Sequence, residues 1–336
     1  MGNEIVYDKP FKTYEEQIAI LESRNVKIAD RSFAYKVLNG LSYYTIINGY
    51  KNSFLSVPGS DNFVVGTKFE DLYTLHMIDT SLNNIILKYI LFVERYLKTK
   101  LSYIVSKNYG VYTDPHDFSN MQASDYLCRN NYSRSRRDRN NVLRQIKETL
   151  TSNRINASVA HYANDKNHIP AWILVTNISF GLTIKWYNIL KSDDKDYICN
   201  DFISSDSFSE EEKKEFLVQA LSLLKEYRNK IAHSSRTFNV RGLPVLPKKQ
   251  LLALSYHCIS SKEYNNNLGK SDLFAVIISC FILIDDRYIL NGFLNDLQYI
   301  LLPYSGVYMN GKTVFEIFGI PENIIDRLIK ILINKF

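Results

Sequence analysis

Four cysteines in 336 residues are too few and too scattered to frame a fold. Cys128, Cys199, Cys258 and Cys280 show no CxxC spacing, which argues against a zinc site or disulfide scaffold and for reduced thiols. MGNEIVYDKP lacks an apolar signal core, and Val6 stands where a myristoylation signal needs Ser or Thr. The longest apolar run, LFAVIISCFILI at 273–284, is too short to span a bilayer and reads as a buried helix. These absences lead to the expectation of a cytoplasmic protein with no membrane association, no metal and no cofactor.

A hydrophobic fraction of 46% against 23% charged residues fits a globular protein with a large core, and no long stretch has the composition of a disordered segment. The net charge of +6 permits an anionic partner without requiring one, so the placement of charge matters more than its sum. Tyr (24) and Phe (18) are abundant, and compositional bias is a plainer explanation than base stacking.

Helical periodicity dominates. TYEEQIAILESR at 13–24 carries a capping-box start, Thr13 with Glu16 three places on. Asp30 opens a second helix through Leu38, with Gly40 placed to end it. LSYYTIINGYKNSFL permits either a short helix or a strand pair. From Lys68 to Asn108, Leu72, Leu75, Ile78, Leu82, Ile86, Tyr89, Ile90, Val93, Leu97, Leu101, Ile104 and Val105 recur mainly at three- and four-residue steps. That pattern predicts one long helix or two in tandem. Glu94 and Lys98 share a face within it, as a surface ion pair or as neighbours of an active site. Residues 169–190 read as an apolar helix with Pro170 in its first turn and Gly181 inside. Ser209 followed by acids caps a helix that runs into YRNKIAH. Residues 271–284 and 322–334 are helical again. No stretch alternates long enough for a large sheet, so the chain is expected to be all-α.

Two features bear on chemistry. CRNNYSRSRRDRNNVLRQIK packs Arg129, Arg134, Arg136, Arg137, Arg139, Arg144 and Lys147 against Asp138 alone among acids, interleaved with Tyr132. Guanidinium forks bind phosphate oxygens bidentately, so this run suits a phosphate backbone; a solvated loop is the bland alternative. The second feature is Arg228 with His233. Histidine moves protons near neutral pH, arginine binds phosphate as charge develops, and the RNA's own 2′-hydroxyl can be the nucleophile. Spacing alone is weak evidence, because Arg154 and His161 fit the same R-x(4–6)-H pattern and roughly one chance match is expected in such a chain. Around His161 no comparable cluster of polar partners stands nearby. Residues five apart on a helix lie about 140° apart, so Arg228 and His233 do not share a face, whereas Asn229 and His233 do. His76, His116, His168 and His257 are expected to be structural or superficial.

YRNKIAHSSRTFN resembles the R-N-x-x-x-H signature of the HEPN superfamily, and more narrowly the abortive-infection proteins of the Abi-like (AbiD/AbiF) group. KPFKTYEEQIAILESRNVKIAD, LNGLSYYTIINGY, FEDLYTLHMIDTSLNNIILKYILFVERYLKTKLS and IPAWILVTNISFGLTIKWY resemble further blocks of that group, so the likeness spans residues 9 to about 240. The resemblance implies an HEPN-like helical bundle with N- and C-terminal helical extensions that commonly dimerises, joining two motifs in one cleft. It implies a metal-independent endoribonuclease, a toxin of bacterial anti-phage defence with Arg228 and His233 catalytic and Asn229 supportive. Glu94, Lys98 and Arg236 would lie beside the site. It also implies a cognate small noncoding RNA, which the arginine-rich stretch would hold.

Loop composition at 58–63 and 242–249 divides the chain into an N-terminal extension (1–60), a catalytic core (61–241) and a C-terminal region (242–336). Two rivals to catalysis stand open: a non-catalytic RNA-binding or sensing protein, and a purely structural helical module.

Overall fold

Thr13 begins the first described helix as its sequence predicts: its hydroxyl accepts from the Glu16 amide while the Glu16 carboxylate accepts from the Thr13 amide. The computed structural model describes residues 8–153, 155–232, 236 and 240–336. Helices follow one another as α1 (Tyr14–Ser23), α2 (Arg31–Leu41), α3 (Phe69–Tyr109), α4 (Arg139–Thr151), α5 (Ala157–Asp165), α6 (Ala171–Leu174), α7 (Phe180–Ile189) and α8 (Ser192–Phe202). They continue as α9 (Glu210–Ala232), α10 (Lys248–Leu254), α11 (Ser261–Asn265), α12 (Leu273–Leu283), α13 (Arg287–Leu301), α14 (Val314–Phe318) and α15 (Ile324–Lys335). Two-residue strands β1 (Tyr308–Met309) and β2 (Lys312–Thr313) pair antiparallel, and no larger sheet occurs among the described residues. The protein is all-α.

α3 is one continuous helix of 41 residues, roughly 60 Å long at 1.5 Å per residue. Each of the twelve periodic apolar positions from Leu72 to Val105 is buried. Elsewhere the boundaries shift. α2 runs through Gly40 to Leu41, and the positive φ that ends it belongs to Ser42, whose hydroxyl then accepts from the Thr45 amide. Tyr44–Asn48 forms a π-helical turn and Lys51–Ser53 a 3₁₀ turn, so the stretch is helical rather than a strand pair. The apolar run at 169–190 is broken: α6 passes into a 3₁₀ turn, Val175–Asn177, and Ser179 caps α7 anew by accepting from the Leu182 amide. A serine that can satisfy a free helical N–H outweighs apolar periodicity there.

The chain groups into two compact units. One comprises residues 1–84, 236–239 and 296–322; the other comprises 85–235, 240–295 and 323–336. Both are discontinuous in sequence, and the three-part division at residues 60 and 242 stays a proposal beside them. In the first unit α1 packs on α2 over Ile18, Leu21, Ala34 and Leu38. In the second, α9 packs on α7, α8, α10 and α12, with α15 against α12. All eleven residues of α12 are buried, as its unbroken apolar run predicts. On α9, Leu217, Leu221 and Leu224 are wholly buried, each contributing about 1.5–3 kcal/mol. A chain of hydrogen bonds ties the loop before α4 to α7: Trp186 Nε1 donates to the Tyr132 hydroxyl at 3.0 Å, and that hydroxyl donates to the Tyr126 carbonyl at 2.9 Å. All four cysteines are buried and unpaired. No described helix is long and apolar enough to cross a membrane.

Candidate functional site

Ser209 starts α9 by accepting from the Glu212 amide, and Glu210, Glu211 and Glu212 place negative charge at the positive helix end. Twenty residues on, the helical period turns Leu221, Leu224 and Tyr227 into the core and leaves Arg228 and Asn229 half-exposed. Arg228 Nη1 donates to Asn229 Oδ1 at 3.2 Å, so the guanidinium leans along the helix surface toward its neighbour's amide. α9 ends at Ala232. His233, the other half of the expected pair, lies outside the described residues, as does Arg154.

Glu94 and Lys98, one turn apart on α3, are an ion pair at 2.8 Å. Their side chains are only 10% and 18% exposed, which sets them apart from an ordinary surface pair. They line a cleft of about 400 Å³ with Thr99, Ser102, Thr176 and the exposed Trp172. Glu94 Oε1 takes the lysine, while buried Oε2 has no hydrogen-bond donor among the described residues. Arg228 and Asn229 are not among the lining residues of this cleft.

Arg236 belongs to the other unit. Its guanidinium lies over the Tyr50 ring, 5.6 Å from the centroid, and a Cβ on Gly49 would come within 3.1 Å of its Nε. The Tyr50 hydroxyl donates to Asp79 Oδ2 at 2.8 Å and meets His76 Nδ1 at 3.2 Å. Burial lowers the His76 pKa, with Asp79 pulling it back up; burial and then Asp79 push the Tyr50 hydroxyl well above its ordinary value. This polar cluster was not anticipated. His76 and Asp79 stand three apart on α3, a same-face spacing that could have flagged them, but Tyr50 comes from a distant segment.

The arginine-rich stretch divides into surface and interior. Arg134, Arg136 and Arg137 are exposed and have no acidic partner within ion-pair distance among the described residues. Arg129 sits half-exposed in a 3₁₀ turn, Arg139 donates to the Tyr132 carbonyl, and Arg144 lies 3.6 Å from Glu148. Lys147 corrects the expectation of RNA contact: its Nζ is fully buried, 2.7 Å from Asp125 and 2.6 Å from the Asp117 carbonyl. Its charge is spent holding a loop to α4. Tyr132, interleaved with these cations in sequence, is likewise in the core. Arg136 also lines a cleft of about 460 Å³ with Lys195 and Lys214; burial, then the two neighbouring cations, lower the Lys195 pKa.

His161 pairs on the surface with Asp165 at 2.8 Å. His116 and His257 are exposed, and His168 is half-buried. Among the described residues no group of three or more His, Cys, Asp or Glu is placed to hold a metal ion.

Neither a curated protein nor a solved structure matches the chain. The family described as Abi-like protein matches residues 36–239, more than half of the chain. That span includes α3, the arginine-rich stretch and all of α9 with the Arg228–His233 segment. The chain belongs to the Abi-like protein family.

Proposed function

We propose that this Abi-like protein is an HEPN-type endoribonuclease of bacterial anti-phage defence, cleaving RNA without a metal and working in the cytoplasm. The observation that supports this best is the end of α9: Arg228 and Asn229 are turned out of the core, hydrogen-bonded side by side, within the matched family span. In this reading the RNA 2′-hydroxyl attacks the adjacent phosphorus and the bond to the 5′-oxygen breaks. His233 takes the hydroxyl proton and passes it to solvent, while water supplies the proton that the leaving 5′-oxygen takes up. Arg228 neutralises the charge that builds on the phosphoryl oxygens. Asn229 positions Arg228, and a homodimer brings two such motifs together. Glu94 and Lys98 are supporting residues, and a cognate small noncoding RNA restrains or guides the enzyme. The products carry a 2′,3′-cyclic phosphate and a 5′-hydroxyl. Incubating the purified full chain with RNA in EDTA tests this: cyclic-phosphate ends support it, and intact RNA counts against it.

A second reading, non-catalytic RNA binding, is favoured by one observation. Arg134, Arg136 and Arg137 present three exposed cations within four residues, with no acidic partner within ion-pair distance among the described residues. It expects salt-sensitive RNA binding with no product.

A further inference from the structure

The π-helical turn Tyr44–Asn48 buries Ile46 and Ile47 and leaves Tyr44 73% exposed. An aromatic ring of that size in water calls for an explanation when its neighbours are considered. Tyr44 and Asn48 line a cleft of about 630 Å³, within the roughly 300–1,000 Å³ range of small-molecule sites. Among the described residues four cations line it, Lys9, Lys12, Arg24 and Lys51, with Asp61 as the lining carboxylate and Glu16 paired to Lys12 at 3.4 Å. Asp61 holds Arg24 Nη2 at 3.1 Å and Lys51 Nζ at 3.4 Å, so it draws two cations onto one wall. Lys9 is exposed with no ion-pair partner among the described residues. Asn48 is half-buried in the wall, and its side-chain amide makes no hydrogen bond among the described residues, leaving both donor and acceptor available. Gln17, also in the wall, has a buried Oε1 with no donor among them.

Cations alone would suit any polyanion. An open aromatic face plus an unspent amide narrows the ligand, because a nucleobase offers a π-face to stack and an edge to hydrogen-bond. In a duplex that face is occupied by neighbouring bases. We propose that this cleft binds an unstacked nucleotide: its base on Tyr44 with its edge toward Asn48, its phosphate among Lys9, Arg24 and Lys51. A strand of RNA and a free nucleotide share that chemistry. The cleft lies apart in sequence from the arginine-rich stretch and from Arg228, and binding there does not depend on cleavage.

The test uses the full chain and a ten-nucleotide 2′-O-methyl RNA, which lacks the hydroxyl needed for cleavage, followed by fluorescence anisotropy. Arg134→Ala, Arg136→Ala and Arg137→Ala are included as background so that the exposed loop does not mask the cleft. Tyr44→Ala is expected to weaken binding by roughly 5- to 150-fold, the range for one lost base stack, while Tyr44→Phe retains it. Lys51→Gln should lower the dependence of log affinity on log salt by about 0.7, the single-strand value per phosphate contact. Competition by AMP at similar concentration identifies a free nucleotide as the source; failure of AMP to compete identifies a strand. Circular dichroism checks that each variant is folded. Unchanged binding of both ligands by folded Tyr44→Ala overturns the assignment, as does tighter binding of duplex than of single strand.

Discussion

Lys147 and Asp125 form an ion pair at 2.7 Å with both side chains wholly removed from water. The carboxylate also accepts from the Asp114 and Leu127 amides, and the ammonium donates to the Asp117 carbonyl, so the pair closes the loop between α3 and α4. Removing one partner would leave the other charged and buried. Lys147→Ala is expected to lower unfolding stability by about 3–5 kcal/mol, read from urea titration. A loss under about 1 kcal/mol would mean the pair is not buried in solution.

Arg327 donates to Glu263 at 2.7 Å while the Ser260 amide caps the same carboxylate at 2.8 Å. The hydrogen bond from Arg327 is the largest cause holding the Glu263 pKa at about 2, below its ordinary 4.5. A carboxylate with a depressed folded pKa binds fewer protons folded than unfolded. Its stabilising effect is therefore full above pH 4.5 and is lost as pH falls toward 2. The stability difference between wild type and Glu263→Gln should shrink across that window in acid titrations; a constant difference would show that Glu263 titrates normally.

Exposed arginines and buried Lys147 should part company in RNA binding. Arg134→Ala, Arg136→Ala and Arg137→Ala each remove a surface cation that has no ion-pair partner among the described residues. Every phosphate contact among them should reduce the salt slope of single-strand binding by about 0.7, without altering the unfolding midpoint. Slopes unchanged in the triple variant would assign RNA contact elsewhere on the chain.

The legible parts of this fold were those in which one local pattern ruled. Twelve apolar positions at helical steps fixed α3, and the serine–acid and threonine–acid starts of α9 and α1 are capped as their residue types require. Gly40 misled because a glycine can remain in a helix when the next residues supply the stop, here Ser42 at φ 62°. The arginine-rich run was legible as charge but not as placement. Asp125, which draws Lys147 inward, lies 22 residues upstream and outside the basic cluster. At the candidate site, the Arg228–Asn229 adjacency follows from sequence, and the low exposure of Glu94 and Lys98 does not, since the i,i+4 spacing is the same for surface and cleft pairs. Tyr50 meets His76 and Asp79 only through tertiary folding.

The central claim, RNA cleavage by the Arg228–His233 motif, is tested most directly by one comparison. Wild type, Arg228→Ala and His233→Ala are incubated with RNA in EDTA, with folding checked by circular dichroism and product ends identified. Wild type should yield 2′,3′-cyclic phosphates, and each variant should be slower by at least about 100-fold, the lower range of general acid–base assistance. Undiminished cleavage by either folded variant would contradict the assignment.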